Sequence, residues 1–479
     1  MKTCDLAITG GTVIDGTGAP RRQADIAVSA DRIVALGDIG GYRAARTIDA
    51  RGRIVAPGFI DAHTHDDNLL LRRPDMAPKA SQGVTTVVVG NCGVSLSPIA
   101  LKGAPPPPMD LLGGRDDYGF ETVGAYVARL GETPAATNAA ILIGHSTLRV
   151  GAMGDVSRAA TPREIDLMAE RLDEGMRAGA IGFSTGLFYP TNSAAPTEEV
   201  IALAKVAAAR GGLHTTHMRD EHDGVETSLE ETFRIGREAD IPVVISHHKC
   251  AGVQNFGRSK TTLARIEAAR AKQEIGLDVY PYTAGSTVLL DKLIPDASRV
   301  IITWSKAHPE LIGRELSEIA KAWGVGLLEA AARLQPAGAI YFMMDEADVR
   351  RIIAYPHSMI GSDGLPHDER PHPRLWGTFP RVLGHYARDV GLLTLEDAVR
   401  RMTGLTARSF SLKDRGELHA GAFADLVVFD AETIAAGSDF DRPTEPAIGI
   451  DAVIVNGEPV WRAGQSTGAR PGRVVRREA

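Results

Sequence analysis

Cysteine is nearly missing from this chain: Cys4, Cys92 and Cys250 are the only three among 479 residues. Three widely spaced thiols make no disulfide framework, so at least one is free for other chemistry. No apolar run approaches the ~18 residues of a membrane span, and the stretch from Met1 to Gly11 holds no signal-peptide core. A cytoplasmic location is the expectation. Positive charge is also short, with a formal net charge of -7. That argues against nucleic acid, whose phosphates demand a dense Lys/Arg surface. The basic stretch Arg470 to Arg477 reads as a solvated tail. Hydrophobic residues at 44% and charged residues at 24% suit a chain that folds by itself into a large domain with a satellite.

What is present is organised around the run from Val55 to His65, Val-Ala-Pro-Gly-Phe-Ile-Asp-Ala-His-Thr-His. An apolar run ending in His63 and His65 reads as a buried strand whose last two same-face side chains point at one spot. Two imidazoles there admit a metal ion, although a lone His-x-His pair is equally well a polar strand end.

Eight such runs recur: 58–65, 84–92, 140–145, 180–186, 212–217, 242–248, 275–282 and 359–363. Their alternation with helical patterns predicts an α/β fold, a closed (β/α)8 TIM barrel with its active site at the C-terminal strand ends. Thr161-Pro-Arg-Glu164 and Thr394-Leu-Glu-Asp397 are helix-start signals. Short alternating runs at both ends of the chain, broken by turn residues, predict a small antiparallel β-sandwich, with Asn456-Gly457 as a hairpin turn. The expected domains are 1–57 with 415–479 for the sandwich, 58–285 with 346–414 for the catalytic barrel, and 286–345 for an insertion over the active-site mouth. That insertion is inferred because the chain between strands seven and eight far exceeds a crossover. Pro105 to Pro108 reads as a stiff surface loop.

Strands one, two, five, six and eight finish in His63/His65, Cys92, His217, His247 and Asp363, all of them zinc-ligand types. His214 and His248 stand near two of these, and periodicity alone does not choose between neighbours. Lys249 and Arg374 offer a point charge and a bidentate fork for a substrate carboxylate.

Pro57-Gly-Phe-Ile-Asp-Ala-His-Thr-His65, the histidines on strands five and six and the aspartate on strand eight resemble the amidohydrolase superfamily. More narrowly, Gly90-Asn-Cys92-Gly, His217-Met-Arg-Asp-Glu221, Ser246-His247-His-Lys249, the run from Gly361-Ser-Asp363 to Arg370, and Pro371-His-Pro-Arg374-Leu-Trp-Gly resemble the N-acyl-D-amino-acid deacylase (D-aminoacylase) family. Many superfamily members carry a carboxylated lysine on strand four. Here Ile181-Gly-Phe-Ser-Thr-Gly offers none, and Cys92 would take that place. The resemblance implies Zn2+ held tightly by Cys92, His217 and His247, with a second, weak or partly filled position near His63, His65 and Asp363. Asp363 would serve as base and then acid.

The resemblance further implies a small-molecule substrate, an N-acyl-D-amino acid cleaved to a carboxylate and a free D-amino acid. Tyr280 and Ser286 would join Lys249 and Arg374 on its α-carboxylate. Phe188, Tyr341 and Met344 would line the side-chain pocket. Ile301 stands where relatives acting on N-acyl-D-glutamate place an arginine, which favours apolar substrates such as acyl-D-Met, D-Leu or D-Phe, provided Arg299 does not turn inward. An N-acyl-D-glutamate or D-aspartate deacylase, or a cyclic-amide hydrolase of the same superfamily, are the alternatives. No membrane partner is expected, and a monomer is favoured.

Overall fold

The apolar runs form eight strands in the computed structural model, which describes residues 1–477. They are β1 (Phe59–Asp61), β2 (Val84–Val89), β3 (Asn138–Gly144), β4 (Gly182–Gly186), β5 (Leu213–His217), β6 (Val243–Ile245), β7 (Ile275–Val279) and β8 (Ser358–Ile360). All pair in parallel and in chain order from β1 to β8. The ring closes where the Ala62 N–H donates to the Ile360 carbonyl at 3.3 Å and Thr64 bridges Gly364. Strand residues of one parity, among them Val88, Leu142, Ile181, Leu213 and Met359, fill the interior, while the other parity packs on the surrounding helices. Thr161 and Glu164 cap one helix reciprocally, with Pro162 at its first position, and the Thr394 hydroxyl accepts from the Asp397 N–H at another.

Two expectations need correction. The stretch Arg470 to Arg477 is not simply solvated: Val475 joins Phe410 and Leu412 in the apolar core of the barrel, and its N–H donates to the Ala139 carbonyl at 2.8 Å. Two adjacent valines inside a basic run were the signal. The terminal β unit is also mixed rather than purely antiparallel. Lys2–Thr9 runs parallel to Tyr42–Asp49, and Thr12–Val13 parallel to Ile54–Val55. Alternation fixes which face is buried; it carries no information on strand direction.

That unit joins a four-stranded sheet from the first 49 residues to a seven-stranded sheet in which Ile54–Pro57 pairs antiparallel with Leu426–Phe429. Leu6, Ile8, Val28, Val55, Val428 and Ile454 pack together as its core. Asn456 and Gly457, at φ 48° and 84°, make the expected hairpin turn. The buried Asp425 fastens the unit to the barrel: it pairs with Arg415 and accepts from the Asn456 N–H at 2.8 Å and from Asn138, the first residue of β3, at 3.2 Å.

Between β7 and β8, Ala284–Val288, Arg299–Ser305 and Ala337–Phe342 form an antiparallel sheet with the last strand in the middle, carrying helices Leu316–Trp323 and Leu327–Leu334. This sheet reaches the barrel rim through Lys292, which donates to the Phe188 carbonyl at 3.1 Å, and through the Tyr189–Thr287 hydroxyl pair at 3.1 Å. Among the described residues no helix is long and apolar enough to cross a membrane.

Candidate metal centre and substrate cavity

Three donors sit at backbone angles that side chains rarely adopt: Cys92 at φ 53°, His247 at 36° and Asp363 at 49°. Such left-handed residues are strained unless surroundings hold them, and they cluster at functional sites. Each lies just past a barrel strand, where the chain must turn abruptly. Parity settles the two ambiguous neighbours. His217 shares a face of β5 with interior Leu213, whereas His214 faces outward, stacked on Phe183 at 5.3 Å. His247 points inward, while the His248 ring bonds Thr262 on an outer helix at 2.9 Å.

The six expected donors meet at one place. His63 Nε2 is 3.2 Å and His247 Nε2 3.3 Å from Cys92 Sγ. Asp363 Oδ1 is 3.2 Å from His65 Nε2 and 3.6 Å from His63 Nε2. His217 lies beside the thiol and stacks edge-on against His247 at 4.5 Å. Ligands on a tetrahedral zinc at 2.0–2.3 Å are separated by about 3.3–3.8 Å, so the spacing and the donor chemistry both suit the ion. The donors gather in two overlapping sets, His63/Cys92/His247/Asp363 and His217/Glu221/His247.

The charges agree. Burial alone would raise the Cys92 thiol, but His63 and His247 hold it well below the usual thiol range, which favours the thiolate form that a metal binds. Asp363 likewise overcomes its burial, because Arg374 Nη1 lies 2.9 Å from Oδ2 and His65 bonds Oδ1. Burial disfavours protonated His63 and His65, yet Cys92, Asp278 and Asp363 outweigh it, lifting His63 well above its ordinary value and His65 to about 9. Burial keeps His217 low.

Several contributors were missed in the sequence. Glu221, within a quoted motif but given no role, lies 3.4 Å from His217, 3.1 Å from His247 Nδ1 and 2.7 Å from Lys249. Asp61 accepts from the His63 and Ser362 N–H groups at 3.3 and 2.8 Å and from buried Lys79 at 2.8 Å, tying the ends of β1 and β8 together. Asp278 contacts both His63 and the His247 backbone. A lone carboxylate on a buried strand was the available signal for Asp61 and Asp278.

Beside the donors lies a narrow cavity. Lys249, Tyr280, Ser286 and Arg374 line it, as do Phe188 and Tyr341. Met344 does not: it faces an adjoining space behind Tyr280, and Met343 takes the wall position. Arg374 is wholly buried. Its guanidinium carbon lies 4.6 Å above the Tyr280 ring, with Lys249 Nζ 5.8 Å from the same ring. Arg299 points away, paired with Glu315 at 2.6 Å. Ile301 packs on Ala284 and Ile340, on the sheet face that carries Ser286.

A model of the amidohydrolase family matches residues 46–271 and 236–461. The D-aminoacylase of Alcaligenes xylosoxydans xylosoxydans is 58% identical over 99% of this chain and 98% of its own. A solved structure concerned with the binuclear metal center of D-aminoacylase, with one-metal activation and second-metal attenuation, superposes with a TM-score of 0.97 at 56% identity, covering 99% of this chain and 100% of that one. The N-acyl-D-glutamate deacylase of Bordetella bronchiseptica, solved with zinc and a phosphonate mimic of the tetrahedral intermediate, superposes with a TM-score of 0.96 at 50% identity over 99% and 100%. By motif, fold and near full-length identity, the chain belongs to the amidohydrolase family and, within it, to the D-aminoacylases.

Proposed function

We propose that the protein hydrolyses the amide bond of N-acyl-D-amino acids with apolar side chains, using zinc. The observation that carries this reading is the convergence of the Cys92 sulfur, four imidazoles and the Asp363 carboxylate beside a cavity lined in part by Leu111, Phe188, Leu293, Met343 and Leu365. Cys92, His217 and His247 would hold the tight zinc, and His63, His65 and Asp363 the weaker position. When bound, the ion supplies Lewis-acid activation of the amide carbonyl and the attacking water.

Asp363, kept ionised by Arg374, accepts the water proton at Oδ1 and returns it to the leaving nitrogen. Lys249 and Arg374 flank Tyr280 and, with Ser286, cradle the α-carboxylate. Both cations are already paired, with Glu221 and Asp363, so that carboxylate shares their donors and leaves little for a second one. Phe188, Tyr341 and Met343 form an apolar wall. With Arg299 turned outward and isoleucine at 301, acidic side chains find no further strong cation in the lining. β4 contributes no lysine, which counts against the cyclic-amide alternative. Every donor comes from one chain, which supports a working monomer, and the thiolate centre suits the reducing cytoplasm.

Steady-state rates on N-acetyl-D-methionine and N-acetyl-D-glutamate, with both L-enantiomers as controls, test the reading. We expect kcat/KM to favour D-methionine by at least ~100-fold, the scale on which an unpaired buried charge is rejected. Preference for D-glutamate, or comparable rates on an L-enantiomer, would overturn it.

A further inference from the structure

We propose that Asp278 is a positioning residue that fixes the tautomer of His63 and the backbone of His247 together, so that one carboxylate braces both zinc positions; this rests on the zinc reading above. Asp278 lies near the end of β7, almost wholly buried. Its two oxygens are divided: Oδ2 lies 3.4 Å from His63 Nδ1, and Oδ1 accepts the His247 N–H at 2.9 Å. An imidazole can ligate only through a nitrogen free of its proton, and an acceptor on the other nitrogen selects that tautomer. With a proton held on Nδ1 by Asp278, Nε2 is the nitrogen left for an ion, and it is the one that approaches Cys92 Sγ at 3.2 Å and Asp363 Oδ1 at 3.6 Å.

The second oxygen acts differently. His247 occupies a left-handed conformation at φ 36°, which surroundings must hold. Its N–H is bound by the side chain that faces His63, so the two positions cannot shift independently. The next N–H, of His248, donates to the Asp278 carbonyl at 2.8 Å, extending the brace. Both side-chain partners of Asp278 are donors, so both of its oxygens must accept. An amide supplies one acceptor and one donor. Turned one way it meets the His247 N–H with its own N–H2; turned the other way it forces the His63 proton onto Nε2, where a metal should sit.

Asp278→Asn keeps the size and removes the second acceptor together with the negative charge. Metal-free wild type and Asp278→Asn are titrated with Zn2+ against a competing chromophoric chelator, and with Co2+ followed by visible absorption. We expect both zinc steps to lose affinity, the weaker one by 10–100-fold, the usual cost of removing such a partner. The thiolate-to-cobalt band of the first equivalent persists, while the spectral change of the second disappears. Far-UV circular dichroism confirms the fold, and Asp278→Ser removes the same acceptors should Asn fail to accumulate as folded protein. A folded variant in which either step keeps its wild-type affinity would overturn the inference. Wild type that binds no zinc at all would sink the zinc reading instead.

Discussion

Asp363 and Cys92 occupy the same few ångströms, but their removal should fail differently. Asp363→Ala should keep the tight zinc near stoichiometric while turnover falls by ~10²–10⁴, the range attributed to a positioned proton-transfer group. Cys92→Ala should lose that zinc, and metal analysis beside rate measurements separates the two. The imidazoles give a pH effect of definite sign. Without metal, His63 is raised well above its ordinary value and His65 to about 9, so both carry protons at pH 7 that an entering cation must expel. Zinc affinity should fall as pH drops below about 9, with proton release at pH 7 visible by calorimetry in buffers of different ionisation enthalpy. At this scale the sequence places His63, His65 and Asp363 at the ends of apolar runs, whereas His217 and His214 stay undivided until the fold gives β5 its parity. Met343 and Met344 lie just past the strand Ala337–Phe342, where strand alternation no longer tells which of two neighbouring side chains faces the cavity. Glu221 and Asp278 went unassigned because nothing local reveals which charge a buried carboxylate will meet.

The insertion supplies Ser286, Thr287, Leu293, Tyr341 and Met343 to the cavity lining. Lys292 holds it to the rim after β4, donating to the Phe188 carbonyl at 3.1 Å with Nζ 3.3 Å above the Phe188 ring. Phe188 in turn stacks on His217 at 5.3 Å. A hydrogen bond and a cation–π contact of this kind contribute about 1–2 kcal/mol together. Lys292→Ala should therefore raise KM by roughly 5–30-fold, with zinc content unchanged and kcat nearly so; an unaltered KM would show that the insertion is held by its other contacts alone. The existence of this element was legible from chain length between strands. Its sheet order was not, since the last strand lies between the first two, and pairing order leaves no mark on periodicity.

Across the whole molecule, the catalytic end of the barrel and its junction with the terminal β unit are separate mechanical problems. Asp425, Arg415, Asn138 and Asn456 make the junction at the start of β3, opposite the donors. Asp425→Ala strands the buried Arg415 charge and should cost about 3–5 kcal/mol, seen as a lower urea midpoint, while turnover per bound zinc stays at the wild-type level. A comparable loss of turnover per zinc would mean the two ends communicate. The pairing of Ile54–Pro57 with Leu426–Phe429 carries a consequence for biosynthesis. The strand that leads directly to His63 emerges from the ribosome early, and its hydrogen-bonding neighbour follows only after nearly all of the barrel has been made. At roughly 5–20 residues per second that delay is tens of seconds, during which the early edge Ile54-Val-Ala-Pro57 has no partner on that side.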